Sequence, residues 1–235
     1  MARKLSRRER RRLKYAEAVK ENKSQPKIKT SKKILFALML ALLIIIYLFQ
    51  INKPKYTPTK TDIPTAGNPN ATVTIKSFSE FQCLYCSEFF IKTYPKIKSK
   101  YIESGKVKFM FYEFPLEELH PFSMKAAEAA RCAHEQGKYE EYAFLLYSRQ
   151  NQWTKAGPEK FKDYAKELGL NVKEFSNCLD SGVMREIIMR EIEEGRKLQV
   201  MGTPTFFIND RRIVGAKPYE DFEKVIENLL SKNTT

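Results

Sequence analysis

Two cysteines, Cys83 and Cys86, stand three residues apart between two runs of opposite periodicity. The preceding run, ATVTIKSF, alternates apolar and polar residues and predicts a strand over 71–78. The following run predicts a helix to about residue 103. A second alternating run, KVKFMFYEF, predicts the next strand. Strand, helix and strand in this order predict a right-handed crossover between two parallel strands, and therefore an α/β fold.

The rest of the chain predicts one domain over 71–235 with a helical insertion at about 121–200. The segment TPTFFIN predicts a strand, RRIVGA follows a tight turn, and an amphipathic helix closes the chain at 219–230. A domain of this length is large enough to bury a substantial core.

Cys83 and Cys86 have three possible roles. As zinc ligands they make half a site, but the chain offers only two histidines and two isolated cysteines to complete it. If they were inert buried residues, nothing would explain why two cysteines stand three residues apart between a strand and a helix. As a redox pair, Cys83 lies where free N–H groups at a helix start favour the thiolate. The thiolate attacks a disulfide and the second thiol resolves the mixed disulfide, so we favour the redox pair.

Three segments in order, FSEFQCLYC, RCAHEQGKYEEY and MGTPTFFIN, resemble the DsbA-like form of the thioredoxin fold over about 71–230. The resemblance implies a thioredoxin fold with a helical insertion. It also implies that Cys83 is the nucleophile and Cys86 the resolving thiol. By the same resemblance Pro204, with Thr203 before it, is the family's cis-proline, which faces the active cysteines and helps to hold substrate as an added strand.

Two positions depart from the pattern of this family. Many relatives carry a buried acid six residues before the first cysteine, where this chain has Ser77. Glu80 either compensates in part or is a solvated loop charge, and the sequence leaves both open. Strong oxidases of this type have His before the second cysteine, whereas this chain has Leu84 and Tyr85. We therefore expect a weaker oxidant.

Other residues around the pair are expected to bind substrate or to support the fold. Phe81, Leu84 and Tyr85 are expected to form an apolar rim that binds unfolded substrate. His120 is expected to cap a turn rather than to take part in exchange.

Cys132 and Cys178, 46 residues apart, have two possible states. As free buried thiols they would behave as small hydrophobic residues. The family resemblance instead implies a structural disulfide between them, which we favour.

The amino-terminal third has a different composition. Residues 1–33 hold 14 of the 42 basic residues and 3 of the 28 acidic ones. Residues 34–49 carry no charge, and 34–51 would span about 27 Å as a helix, close to a hydrocarbon core of about 30 Å. We therefore expect an uncleaved signal-anchor, a single transmembrane helix over 34–51, rather than a cleaved signal peptide, a buried core helix or an RNA-binding arm.

The basic flank predicts the orientation of this anchor, with 1–33 cytoplasmic and the catalytic domain extracytoplasmic at the cell membrane. The anchor would contact membrane lipid, and no nucleic-acid partner is expected. Residues 52–70 contain four prolines and predict an extended linker.

The sequence therefore predicts a membrane-tethered thiol–disulfide oxidoreductase. It would form, reduce or isomerise disulfides in exported or unfolded proteins, be recycled by a membrane redox partner, and need no cofactor or metal. A reductase for one client is an alternative in the same class. A Cu(I)-handling chaperone and a binding module without the reaction are alternatives in other classes.

Overall fold

The structure is a computed structural model that describes residues 7–22, 32–51 and 56–232. The chain divides into two compact units, Met1–Asn52 and Lys53–Thr235, and each is described by itself.

The first unit contains two helices, α1 (Arg7–Asn22) and α2 (Lys32–Ile51). Across the described ranges, none of the helices combines the length and the apolar character that crossing a membrane requires. The predicted transmembrane anchor at 34–51 is therefore not confirmed, and the predicted localisation as a single-pass protein of the cell membrane, which depended on it, is wrong. The uncharged run of 16 residues covers only about 24 Å as a helix, less than a hydrocarbon core of about 30 Å.

The second unit is built on a five-stranded sheet in the order β1-β3-β2-β4-β5. Only the central pair, β2 with β3, is parallel, as the crossover predicts, and the other neighbours are antiparallel. The mixed α/β fold is thereby confirmed. The strands are β1 (Thr65–Ala66), β2 (Val73–Ser79), β3 (Val107–Glu113), β4 (Thr205–Ile208) and β5 (Arg211–Val214).

The alternating residues of β2 and β3 explain why the sheet lies between layers of helices. Val73 and Ile75 are fully buried, and each pairs with a buried residue of β3, Val107 and Phe109. Side chains at every second position share a face of the sheet, so these residues form one apolar surface. Helix α11 (Tyr219–Lys232) packs against β2.

The helix that begins directly after Cys83 is continuous over residues 84–102, and we call it the cysteine helix. Two α-helical stretches, α3 (Leu84–Glu88) and α4 (Tyr94–Ile97), alternate with the π-helical turns Phe89–Thr93 and Lys98–Ile102. Pro95 lies in the first turn of α4. A π-helical turn before it lets the chain pass a residue that lacks a donor N–H.

Six helices form the insertion between β3 and β4. The Asn171 side chain accepts a hydrogen bond from the Glu174 N–H and caps the start of one of them. Another packs against β3, and at Gly195 a Cβ atom would lie 2.6 Å from the Phe114 ring, so only glycine permits this approach. The helices are α5 (Ser123–Glu135), α6 (Tyr139–Ser148), α7 (Gln150–Ala156), α8 (Lys160–Glu167), α9 (Val172–Ser181) and α10 (Met184–Lys197).

The segment predicted to be an extended linker lies against the domain instead, except for residues 52–55, which fall outside the described residues. The Glu135 carboxylate accepts hydrogen bonds from Tyr56 O–H, Thr59 N–H and O–H, and Lys60 N–H at 2.7–3.1 Å. The segment then enters β1 at the edge of the sheet. The Glu135 carboxylate therefore satisfies hydrogen-bond donors that would face water if this segment were a free linker.

Candidate functional site

Cys83 lies where the chain leaves the sheet and the cysteine helix begins. Its backbone is extended, with φ −72° and ψ 122°, and it forms the N-cap of α3. Its sulfur accepts a hydrogen bond from the Cys86 N–H at 3.4 Å. Three loop residues, 80–82, separate Cys83 from β2, and at this helix start its sulfur takes the place of the usual cap oxygen.

The surroundings of Cys83 lower the pKa of its thiol to about 6. The largest cause is a hydrogen bond from the Cys86 thiol. The Cys86 backbone N–H, the Thr203 side chain and the Tyr85 backbone N–H add to it, and burial opposes them. Cys83 is therefore largely thiolate at neutral pH, as its position at a helix start predicts.

Cys86 has the opposite character. It is buried, and burial raises the pKa of its thiol well above the usual value, with further increases from the hydrogen bond to Cys83 and the charge of Cys83. The two thiols, both free, therefore differ in protonation at neutral pH. Cys83 can attack as a thiolate, whereas Cys86 keeps its proton.

Thr203 and Pro204 face the active cysteine from the loop that leads into β4. Their peptide bond is cis, and the Cys83 sulfur lies 3.4 Å from the Thr203 carbonyl oxygen, which accepts a hydrogen bond from the thiol when Cys83 is protonated. The cysteine helix, its N-cap residue and the loop before β4 thus meet at one point. The sequence brings Cys83, Cys86, Thr203 and Pro204 together only through this fold.

The expected apolar rim is only partly present. Leu84 and Tyr85 are exposed at 70% and 62%. Phe81, in contrast, is 1% exposed, because its ring packs against Tyr147 at 4.8 Å between centroids. Phe81 is therefore a core residue, and its placement in a substrate-binding rim is wrong.

The sequence did not predict the positions of two residues near the cysteines. Gln150 donates its side-chain N–H groups to the carbonyl oxygens of Phe81 and Cys83, at 2.7 and 3.1 Å, and so holds the loop before the cysteine helix. No signal in the sequence distinguishes Gln150 from a surface residue. Glu80 is fully buried rather than solvated, and its Oε1 lies 2.6 Å from Nδ1 of His120. The sequence left the position of Glu80 open and assigned His120 to a turn.

Cys132 and Cys178 are joined by a disulfide, which connects α5 to α9. Both residues are buried within the insertion. Among the residues that the structure describes, no cluster of three or more His, Cys, Asp or Glu side chains is arranged to hold a metal ion.

The thioredoxin family model matches residues 59–228 of the chain. The chain belongs to the thioredoxin family. The match includes the cysteine pair, the whole insertion and the Thr203–Pro204 loop.

Named relatives of this thioredoxin-family chain include disulfide bond formation proteins. The probable disulfide bond formation protein D of Bacillus anthracis is 25% identical over 71% of this chain and 77% of its own length. The Na⁺/H⁺ antiporter NhaA 3 of Salinispora tropica is 31% identical over 65% of this chain. The chain spans about a fifth to a quarter of the length of the two antiporters that it matches, 22% and 24%.

Solved structures resemble the same part of the chain. Wolbachia pipientis alpha-DsbA1 superposes with a TM-score of 0.65 and 25% identity, over 75% of this chain and 97% of its own. BdbD of Bacillus subtilis, at 23% identity and a TM-score of 0.65 over 72% of this chain and 93% of its own, shares the fold. The names of the disulfide bond formation proteins agree with the predicted enzyme class, a thiol–disulfide oxidoreductase.

Proposed function

We propose that this chain is a thiol–disulfide oxidoreductase that exchanges disulfides with cysteine-containing proteins through Cys83 and Cys86. One observation carries the proposal: a thiol of pKa about 6 lies at a helix start, one turn ahead of a buried thiol of high pKa. Such a pair separates the attacking form of cysteine from the resolving form. The names of the disulfide bond formation proteins support the same class of reaction.

In the reducing direction, the Cys83 thiolate attacks one sulfur of a substrate disulfide. A bond forms between Cys83 and that sulfur, and the other substrate sulfur leaves as a thiolate. Cys86 then loses its proton and attacks Cys83, which forms the Cys83–Cys86 disulfide and releases the second substrate thiolate. The substrate has gained two electrons and the protein has lost two.

The oxidising direction is the reverse sequence of the same bonds. A substrate thiolate attacks Cys83 in the disulfide, and Cys86 leaves as the thiolate. A redox partner must then reset the pair, by reoxidation in this direction and by reduction in the other. The lack of a positive charge at Leu84 and Tyr85 favours a weaker oxidant than His-containing relatives of this type.

Substrate would bind beside Thr203 and Pro204, with the exposed Leu84 and Tyr85 as an apolar rim. The Thr203 carbonyl oxygen lies 3.4 Å from the reacting sulfur, so an extended chain added beside this loop would bring its own sulfur close to Cys83. The catalytic domain in this proposal covers 71–235, and Cys132–Cys178 serves as a structural disulfide within the insertion.

The test is turnover of a protein disulfide. We expect the protein to catalyse reduction of insulin by dithiothreitol, and Cys83→Ser to abolish catalysis because it removes the attacking sulfur. Cys132→Ala/Cys178→Ala, outside the active pair, is the matched control and should retain catalysis. Turnover by Cys83→Ser equal to that of the unmodified protein would contradict the proposal.

The direction of exchange requires a second measurement. Equilibration of the Cys83–Cys86 pair in glutathione buffers gives its reduction potential. A potential at the oxidising end, near about −120 mV, would contradict the expectation of a weaker oxidant.

A further inference from the structure

The resolving thiol raises a question that the exchange reaction itself does not answer. Cys86 is 1% exposed and must lose its proton each time it attacks Cys83. It must regain a proton when it leaves in the reverse direction. Ser77, at the position where relatives carry a buried acid, has a hydroxyl and no carboxylate. Some other group must therefore carry the proton between Cys86 and water.

The position of Glu80 allows it to carry this proton between Cys86 and water. Its carboxyl group is fully buried, three residues ahead of Cys83 in the loop that leads into the cysteine helix. The Glu80 backbone lowers the pKa of the Cys86 thiol and the Glu80 charge raises it, so the two residues act on each other electrostatically. Oε2 accepts from the Gln82 N–H at 2.7 Å, which fixes the carboxyl group in place. Glu80 is thus a buried titratable group whose charge state is coupled to that of Cys86.

His120 connects this buried carboxyl group to the surface. Its Nδ1 lies 2.6 Å from Oε1 of Glu80, and the His120 side chain is 32% exposed to solvent. Among the described residues, Oε1 and Nδ1 have no other polar partner and are not aligned for a hydrogen bond with each other. A proton that reaches Glu80 therefore has one short step to a side chain that meets water.

We propose that Glu80 and His120 form a proton relay for Cys86, which rests on the proposed exchange reaction. When Cys86 attacks Cys83, its proton moves to the Glu80 carboxylate, then to His120 and then to solvent. When Cys86 leaves as a thiolate, the proton returns along the same path.

The groups that face Glu80 support this assignment. Burial raises the pKa of Glu80 to about 8, close to that of an ordinary thiol, so the carboxyl group can both accept and donate a proton near neutral pH. The other titratable groups around it are Cys83 and Cys86 from the cysteine helix, His120 from the turn before α5, Glu113 from β3 and Tyr147 from α6.

Glu113 is the rival proton carrier. It borders a cavity of about one water molecule beside Cys86, together with Ser77 and Ser79. However, its Oε1 accepts from the Tyr139 hydroxyl at 2.5 Å, and its backbone N–H donates to the Glu191 carboxylate at 2.6 Å. Burial and the charge of Glu191 raise the pKa of Glu113 well above the usual value. Glu113 therefore keeps its proton, and both of these partners are buried.

The experiment separates the two chemical steps in single turnover. Reduced protein is mixed with Ellman's reagent, and release of the thionitrobenzoate anion is followed across pH 5–9. The first equivalent reports attack by Cys83, and the second reports attack by Cys86 on the resulting mixed disulfide. We expect Glu80→Gln, which keeps the shape of the side chain, to slow the second phase by about a hundredfold while the first changes by about twofold at most.

His120→Ala tests the last part of the relay, in which the proton passes through His120 to solvent. The second phase should slow in this variant and recover when imidazole is added to the buffer, because imidazole can stand in for the lost side chain. Rescue by a small base is not expected of a purely structural role.

Glu113→Gln is the matched control, a second buried carboxyl group near Cys86, and should leave the second phase unchanged. The proposal is overturned if Glu80→Gln leaves the second phase unchanged, if both phases slow equally, or if Glu113→Gln is the variant that slows it. Should the unmodified protein itself release no second equivalent, the exchange reaction fails as well. Failure of the relay alone leaves that release intact.

Discussion

At the scale of single residues, the central feature is that the two active-site sulfurs have different roles, one in attack and one in resolution. Cys83 has its pKa lowered to about 6, first by the hydrogen bond from the Cys86 thiol and then by backbone N–H groups and the Thr203 side chain. The helix start contributes, as the sequence predicts, but the resolving thiol contributes more. The attacking sulfur therefore depends on its partner before any exchange takes place.

Replacing the partner tests this dependence. In Cys86→Ala the strongest hydrogen bond to Cys83 is lost while the backbone N–H groups remain. We expect the pKa of Cys83 to rise above 6 but to stay below the value of about 8.5 for free cysteine. Thiolate absorbance at 240 nm as a function of pH measures it. An unchanged pKa would show that the helix start alone stabilises the thiolate.

The residues that the sequence could predict are those whose role depends on local position. Cys83, Cys86, Thr203 and Pro204 lie in short motifs, and the structure brings them together. Gln150 and His120 could not be found, because each reaches the site only through packing of the insertion against the sheet. Glu80 was ambiguous for the same reason, since burial of a loop carboxyl group depends on what covers it.

At the scale of elements, the edge strand β1 was missed because two residues carry no detectable periodicity. It pairs with β3 through Thr65 and Ala66, and the turn that follows requires glycine. Gly67 has φ +91°, and a Cβ atom there would lie 2.4 Å from the Val107 carbonyl oxygen. The larger elements followed the sequence closely, since their periodic apolar residues face the sheet.

Gly67→Ala should therefore destabilise the protein. Gly157→Ala is a matched control, because Gly157 also has φ +91° but nothing lies within 4 Å of a Cβ atom there. We expect the control to lose about 1 kcal/mol of unfolding free energy from backbone strain, and Gly67→Ala to lose about 3 kcal/mol because of the added clash. Urea denaturation of both variants measures the difference. Equal losses would contradict the close approach at β1.

At the scale of the whole molecule, the catalytic pair and the second cysteine pair lie in different layers of the domain. Cys132–Cys178 joins two helices of the insertion across 46 residues. This insertion supplies Tyr147, Gln150 and other residues that cover the active loop. The described part of the domain thus relies on the insertion both for its stability and for the shape of the site.

Removing this disulfide should cost stability and leave the chemistry intact. For Cys132→Ala/Cys178→Ala, closure of a 46-residue loop corresponds to about 4 kcal/mol of unfolding free energy. Urea denaturation of the oxidised proteins measures the loss. The same comparison after complete reduction is the control, because both proteins then lack the loop and should differ little. A variant as stable as the oxidised parent would show that the bond is not structural.

The most direct test of the account is the acidity of Cys83 in the unmodified, reduced protein. Alkylation by iodoacetamide depends on the thiolate, so its rate should rise with pH and reach half its maximum near pH 6, the pKa of Cys83. Cys86, buried and of high pKa, should react far more slowly. A midpoint near about 8.5, the value for free cysteine, would contradict the account of this site as a thiol–disulfide exchange centre.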